Sequence, residues 1–335
     1  MKIAVMGIGV AGSYLLSRLK NNHTVVGYER MEKERHDSIC AWGSSKNRMT
    51  QMCDLSGIDF EKYVIHNGKF MHISCAGKKF NIALHGLCTY DKIGLIKDFV
   101  QGCTVHYGKA PAKKELVDEY DLVIDCTGFH RSYLPRIKND FFLPTYEYKV
   151  EYKESVPYDD FFVHAFKGMS GYFWYFPLGK KIAHIGAGDY NKNHVTETNK
   201  FLNKYGGKII KTVGRPIRLA TPENCMPYSD GNIVGVGESI GTVFPLLGEG
   251  IIPSMECADI LIKNIDDIRE YERQVAKHFS IYGTVYDFVR KKIDGQFHPV
   301  KQIGNMLAIF RYMKRHEERF GMDIKLRHLA KVAQA

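Results

Sequence analysis

The chain of 335 residues reads as an α/β protein in which a parallel-sheet unit is interrupted by an antiparallel sheet and closed by helices. Three observations predict this. A strand, a glycine turn, a helix and a second strand fill the first 29 residues. From about residue 140 the pattern changes to aromatic and β-branched strands. A buried-strand pattern of the first kind then returns at 231–237. A change of layer type followed by a return is the mark of one unit inserted into another.

The elements follow in order. Residues 2–7 (KIAVMG) read as a buried strand by their apolar content, and Ala11, Leu15, Leu16 and Leu19 recur at helical spacing over 10–20. Residues 23–29 form the second strand, and 37–46 have no period and read as a loop. Asn67-Gly68-Lys69 and Ala76-Gly77-Lys78 punctuate short alternating strands. A helix is predicted over 90–100 and a buried strand over 121–126, ended by Thr127-Gly128. Strands follow at 143–152, 160–166, 172–177 and 181–187, with a helix at 193–205. After the strand at 231–237 come helices over 250–263, 266–291 and 299–319. The boundaries expected from this are 1–65, 86–140 and 228–290 for the first domain, 66–85 and 141–227 for the second, and 291–335 for a helical C-terminal region.

Composition excludes several classes. Hydrophobic residues are 44% and charged residues 25%, ordinary globular values that leave no room for a disordered or collagen-like chain. No apolar run reaches the roughly 18 residues a membrane-spanning helix needs. The chain opens directly into a strand with no leader pattern, so a cytoplasmic protein is expected. The eight cysteines are scattered with no CxxC, and no HExxH or other ligand spacing occurs, so free thiols and no metal are expected. The net charge is +10, and residues 301–335 carry +5 of it, from eight Lys/Arg against three acids. That basic stretch reads either as a solvated helix face or as a peripheral contact with an anionic lipid surface. No nucleic-acid-binding motif accompanies it, so no nucleic-acid partner is expected.

Gly7-x-Gly9-x-x-Gly12 stands between strand and helix, and Glu29 ends the next strand 22 residues after Gly7. The first glycine permits the tight turn. The second lets a pyrophosphate approach the backbone, the third lets helix and strand pack closely, and the acid can accept hydrogen bonds from a ribose diol. The helix N-terminus adds unpaired N–H groups and a positive dipole end. An acid at position 29 disfavours a 2′-phosphate, which leaves FAD or NAD. Residues 232–251, NIVGVGESIGTVFPLLGEGI, run a strand into Gly237-Glu238, then Pro245, then Gly248-Glu249-Gly250 at a helix start. This places an acid and a second set of helix N–H groups beside the middle of an extended dinucleotide. The ribityl chain of FAD uses such groups and NAD does not.

These segments, with the Cys126-Thr127-Gly128 strand end, resemble the FAD-binding parts of the para-hydroxybenzoate hydroxylase-like flavoproteins, where Gly-Asp usually stands at Gly237-Glu238. Residues 172–188, YFWYFPLGKKIAHIGAG, contain Tyr-x-Trp-x-Phe-Pro, eight residues, then Gly-x-Gly. This resembles the motif of archaeal geranylgeranyl reductases, also described as digeranylgeranylglycerophospholipid reductases. The Cys40-Ala41-Trp42-Gly43 loop is similar to their cysteine-containing loop. The resemblance covers most of residues 1–260 and fades beyond.

The fold implied is a Rossmann-type FAD-binding domain with an inserted antiparallel-sheet substrate domain and C-terminal helices. The cofactor implied is FAD, held by Gly7, Gly9, Ala11, Gly12, Glu29, Arg30, Gly43, Arg48, Gly128, Gly237, Glu238, Gly248, Gly250 and Ile251. The activity implied is saturation of C=C bonds in geranylgeranyl chains, with an isoprenoid lipid as substrate and NAD(P)H or a small electron carrier as donor. An FAD-dependent aromatic monooxygenase on the same scaffold is the alternative.

The residues themselves agree in chemistry. Tyr172, Trp174 and Phe176 share one face of a strand, and Phe173, Tyr175 and Pro177 take the other. One face can line an apolar tunnel while the other packs on a core. Tyr172, Trp174, Phe176, Pro177, Gly186 and Gly188 are the expected substrate residues. Cys40 is the catalytic candidate, as proton donor or flavin-tuning group, against an inert small hydrophobe. Arg48 reads as a pyrophosphate contact or a structural ion pair. His130 and Arg131 read as surface positions, and Asp91 and Lys92 as a solvated helix start.

Overall fold

The computed structural model describes residues 1–37 and 40–333, so residues 38 and 39 of the expected 37–46 loop lie outside the described residues. The first sheet has six strands in the order Ser229–Asp230, Ile233–Gly235, Leu122–Asp125, Lys2–Met6, Thr24–Glu29, Thr104–Tyr107. All neighbours run parallel except the short edge hairpin at 229–235. The apolar run at 3–6 is explained by burial on both faces: Ile3, Ala4 and Val5 have no exposure. The chain leaves Lys2–Met6 toward Thr24–Glu29 on one side and returns to it through Leu122–Asp125 on the other. The crevice outside the carboxyl ends of these strands is where open α/β sheets bind ligands.

The second sheet has seven strands in the order Lys208–Arg218, Phe142–Glu151, Ile182–Asp189, Gly171–Pro177, Phe161–Ala165, Phe70–Cys75, Lys78–Ala83. It is antiparallel except where Phe161–Ala165 meets Phe70–Cys75. The helix His194–Tyr205 covers one face, where Phe173 and Tyr175 pack with Phe201. Gly43–Ser45, Leu87–Tyr90 and Val64–Asn67 form a small third sheet between the two.

Three local expectations need correction. The strand Lys208–Arg218 was not anticipated. It is an edge strand carrying Lys208, Lys211 and Pro216, the residues that blunt an edge and hide its alternation. The pattern at 266–291 is two helices, Ile268–His278 and Ile281–Ile293, because a break at Phe279-Ser280 turns Phe279 and Tyr282 into the core. The pattern at 299–319 is likewise divided, into Pro299–Arg315 and Glu317–Phe320, with His316 between them.

The last segment folds back on the small sheets. Gly321 accepts hydrogen bonds from the backbone of His85 and Leu87, Asp323 N donates to Ala83 O, and Ser45 Oγ donates to Glu318 O. The C-terminal helices are thereby laid over the antiparallel sheet as one wall of a cavity. Among the described residues no helix is long and apolar enough to cross a membrane.

Candidate active site

A cavity of about 840 Å³ runs from the carboxyl end of the parallel sheet to the space between the antiparallel sheet and the C-terminal helices. Its first arm is polar and built on the opening glycine turn. Gly7 holds a φ of +89°, and a Cβ there would stand 2.7 Å from the Cys126 carbonyl oxygen. A Cβ on Gly12 would overlap the Gly7 carbonyl oxygen, so the helix can approach the strand only without one. At Gly9 a Cβ would meet nothing within 4 Å, because this position faces the open cavity. The helix Val10–Leu19 has no side-chain cap, so the N–H groups of its first turn are free for an anion. Glu29 is 8% exposed and accepts Ile8 N at 2.9 Å on one oxygen and Met31 N at 3.0 Å on the other. Each carboxylate oxygen retains a second acceptor site, enough for a ribose diol.

The late glycine stretch meets this turn. A Cβ on Gly237 would stand 3.5 Å from the Ala11 Cβ, and one on Gly128 would stand 3.2 Å from Glu238 Oε2. Glu238 accepts Arg215 NH2 at 2.8 Å and Arg218 N at 2.9 Å. The Arg218 guanidinium binds Asp140 through two hydrogen bonds of 3.0 Å and donates to the Phe129 and Glu238 carbonyls. One arginine thus ties the 128–130 turn, the 237–240 turn and the antiparallel sheet together. Gly248, Gly250 and Ile251 line the cavity at the start of the helix Ile251–Lys263, which also has no side-chain cap. Tyr172 Oη donates to the Leu247 carbonyl and joins the aromatic strand to this loop. The residues therefore fit an extended dinucleotide: a glycine open to the pyrophosphate, two uncapped helix starts, and an acid at each of two positions along it.

The second arm is apolar, walled by Met71, Ile73, Val163, Phe310, Met322 and Leu329. Tyr172, Trp174 and Phe176 lie where the two arms join, while Phe173 and Tyr175 pack in the separate core under the helix 194–205. The Cys40–Gly43 loop lies against the aromatic strand, and a Cβ on Gly43 would overlap the Phe176 ring. The Cys40 sulfur accepts Lys92 Nζ at 3.0 Å and Trp42 N at 3.3 Å.

Beside them Glu147, 4% exposed, accepts Trp174 Nε1–H at 3.0 Å and faces His184 Nδ1 at 3.4 Å. Burial pushes the Glu147 carboxyl up to about 8, only partly opposed by the Trp174 hydrogen bond and the charges of Lys92 and Arg215. Burial, with the nearby charge of Lys149, pulls His184 down to about 3, although the Cys40 and Ala41 carbonyls accept from it.

The Gly-x-Gly of the 172–188 motif has a packing explanation. Gly186 sits in register between Glu147 and Trp174, and a Cβ on it would stand 2.5 Å from Trp174 Cζ2. Only a glycine lets the indole lie across the intervening strand and reach the carboxyl. A Cβ on Gly188 would stand 2.7 Å from Leu143 Cδ2. Gly186→Ala is expected to push the indole off Glu147 and cost about 1–3 kcal/mol by overpacking, measurable in denaturant unfolding. An unchanged midpoint and an unchanged tryptophan emission would refute this role.

Of the expected residues, the cavity gathers Gly7, Gly9, Ala11, Glu29, Arg30, Cys40, Gly43, Gly128, Glu238, Gly248, Gly250, Ile251, Tyr172, Trp174 and Phe176. Gly12 and Gly237 stand behind it as packing positions, and Pro177, Gly186 and Gly188 do not line it. Arg48 is corrected as a pyrophosphate contact: its guanidinium lies against Glu256 Oε1 at 3.1 and 3.3 Å, away from the cavity, because the buried carboxylate needs a cation. Lys92 is 5% exposed, not solvated, because the helix Lys92–Phe99 starts against the Cys40 loop. Arg131 is 5% exposed and donates to the Pro135, Pro227 and Ser239 carbonyls, while His130 is exposed and lies 3.2 Å from Arg30. The sequence reading missed Glu147, Arg215 and Arg319. For Glu147 a partial signal existed: it shares strand parity with the cavity-facing Leu143 and Thr145, although Lys149 and Glu151 further along share it too.

No protein-family model matches the sequence. The chain is 29% identical to an uncharacterized protein of Methanocaldococcus jannaschii, over 84% of this chain and 89% of that one. A shorter stretch of 96 residues is 34% identical to digeranylgeranylglycerophospholipid reductase 2 of Methanothermobacter thermautotrophicus, over 27% of this chain and 24% of that one. Among solved structures, a geranylgeranyl bacteriochlorophyll reductase-like protein from Thermoplasma acidophilum superposes with a TM-score of 0.69 at 16% identity over 87% of both chains. A probable FAD-dependent monooxygenase from Pseudomonas aeruginosa superposes with a TM-score of 0.63 at 13% identity, over 89% of this chain and 99% of that one. The fold is therefore that of FAD-dependent oxidoreductases.

Proposed function

We propose that this chain binds FAD in the cleft and saturates C=C bonds of geranylgeranyl chains in lipids or lipid precursors. The observation that carries the reading is the continuity of the polar dinucleotide arm with a long apolar arm, joined at Tyr172, Trp174 and Phe176. A flexible isoprenoid needs shape and dispersion more than hydrogen bonds. A polar aromatic substrate would leave the apolar arm unused, which sets the hydroxylase reading second. The partial likeness to a digeranylgeranylglycerophospholipid reductase supports the same choice.

Gly9 and the helix start behind it would hold the pyrophosphate, Glu29 the ribose, and Glu238 with the Gly248–Ile251 turn the ribityl and ring portion. Reduced flavin supplies a hydride to the alkene when bound. The protein holds the chain in a dry channel, and Cys40 and Lys92 set the polarity at the junction of the arms. NAD(P)H or a small electron carrier would serve as reductant. On the helix Pro299–Arg315, Val300 is 86% and Ile303 60% exposed next to Lys301, which suits a shallow contact with anionic lipid.

The test is direct. The purified protein should carry a yellow flavin spectrum, and after reduction with dithionite it should add two hydrogens per double bond to prenyl lipids, read by mass. A colourless protein that takes up no FAD, or a reduced holoprotein that leaves prenyl lipids unchanged while consuming oxygen with an aromatic substrate, would sink the reading.

A further inference from the structure

From the geometry around the cavity we infer that Glu147 is a buried, neutral carboxylic acid and the proton donor of this site. The inference rests on the reductase reading above and adds the residue that completes it.

Glu147 lies on the strand Phe142–Glu151 with its carboxyl in the wall of the cavity, on the same face as Leu143 and Thr145. Its two oxygens have different neighbours. Oε2 accepts the Trp174 indole N–H at 3.0 Å. Oε1 faces His184 Nδ1 at 3.4 Å.

His184 Nδ1 has no other partner and faces Glu147 Oε1, so an imidazole that carries its hydrogen on Nε2 presents a bare Nδ1 lone pair to that oxygen. A carboxylate oxygen opposite a lone pair is repulsive. A carboxyl O–H opposite the same lone pair is a hydrogen bond. Neutral Glu147 can offer its O–H to that nitrogen across the 3.4 Å gap, and ionised Glu147 leaves two acceptors face to face.

The charged groups that bear on Glu147 are Lys92 from the helix Lys92–Phe99 and Arg215 from the edge strand, and both favour ionisation. Burial outweighs them, and the carboxyl titrates near 8. Cys40, the other polar group at the junction, accepts two hydrogen bonds and has Lys92 as its nearest donor. Its sulfur accepts both of these hydrogens, and Glu147 is the carboxyl beside the aromatic strand at this junction.

The step balances as follows. The π pair of the alkene takes the proton of the Glu147 carboxyl and forms a C–H bond at the less substituted carbon. The more substituted carbon would take a hydride, two electrons and a proton, which a reduced flavin held in the cleft would supply. The Glu147 O–H bond would break to leave a carboxylate, the flavin would be left oxidised, and one molecule of hydrogen would have been added across the double bond. Solvent protonation restores the acid at pH values below its titration.

Glu147→Gln is the informative change. Its amide can accept from Trp174 and donate to His184 Nδ1, so it reproduces the contacts of the neutral acid without a transferable proton. In the flavin-loaded full-length protein, infrared difference spectra should show a protonated-carboxyl band that fades as pH rises through about 8 and is missing from E147Q. The stability gap should also run in E147Q's favour and widen from pH 5 to 8, because across that window the unfolded glutamate is ionised and the folded one is not. Flavin reduction by dithionite should be unchanged, while alkene reduction falls at least about 100-fold, the lower end of a positioned proton donor's contribution. Glu147→Asp should recover part of it. A band absent at neutral pH, or E147Q reducing alkenes as fast as the parent, overturns the inference and leaves the reductase reading standing. A parent protein that reduces no prenyl lipid overturns that reading and the donor role together, whatever the infrared band shows.

Discussion

Gly9→Val is expected to yield a folded protein that has lost its flavin. In the cofactor-free chain a Cβ at position 9 meets nothing within 4 Å, so the added methyls cost little stability. With a dinucleotide in place the same methyls occupy the space where the pyrophosphate must approach the backbone and the free N–H groups of Val10–Leu19. Losing about 3 kcal/mol of that interaction would weaken binding roughly 100-fold. Equilibrium dialysis with FAD gives the affinity, and thermal unfolding of the flavin-free forms gives the stability. Gly12→Ala is the contrasting control, because its Cβ would overlap the Gly7 carbonyl oxygen and force helix and strand apart. It should lose stability and flavin together. If the Gly9 variant bound FAD as tightly as the parent, the cofactor would have to lie elsewhere.

Arg319→Met should lower stability by about 3–5 kcal/mol, the usual result of removing one partner of a buried ion pair. Arg319 is 6% exposed and donates to Glu249 Oε2 at 2.7 Å, Tyr282 Oη at 2.7 Å and Tyr312 Oη at 2.6 Å, with Glu256 at 4.0 Å. Methionine fills part of the volume and leaves Glu249 buried without its cation. The damage should reach the proposed flavin site, since Glu249 stands in the Gly248–Gly250 turn and both residues line the cavity.

Glu256 supplies a pH signature. Burial alone would raise its carboxyl, but the His278 hydrogen bond and the charges of Arg319, His278 and Arg48 outweigh burial and hold it at about 2. A depressed folded value means this stabilisation is fully present above the ordinary glutamate range and is lost as pH falls toward 2. Urea midpoints of parent and Arg319→Met should therefore differ most near neutrality and converge toward pH 2. A constant difference across that range would place the effect outside this carboxylate.

The geometry of the polar arm could be read from one stretch of chain because its parts are neighbours in sequence. Strand, turn, helix and Glu29 lie within 29 residues, and each glycine answers a constraint set by the next few residues. The faces of the 172–177 strand followed from the same locality, since alternate side chains of a strand must separate. Where local pattern was ambiguous the reading failed. Lys92 at a helix start looks solvated, and nothing within ten residues announces the Cys40 sulfur above it. Arg48 looks free for a phosphate until Glu256 is brought beside it.

The opening turn and the period-two strand thus carry their geometry in adjacent residues, and the backbone's own sterics make them legible without knowing where the rest of the chain goes. The acid at the junction of the two arms does not. Glu147, Trp174 and His184 sit on three adjacent strands, Lys92 on a helix and Arg215 on an edge strand that local pattern missed. Their protonation depends on mutual distance and on the exclusion of water, quantities that exist only once the sheets and the C-terminal helices have closed around the cavity.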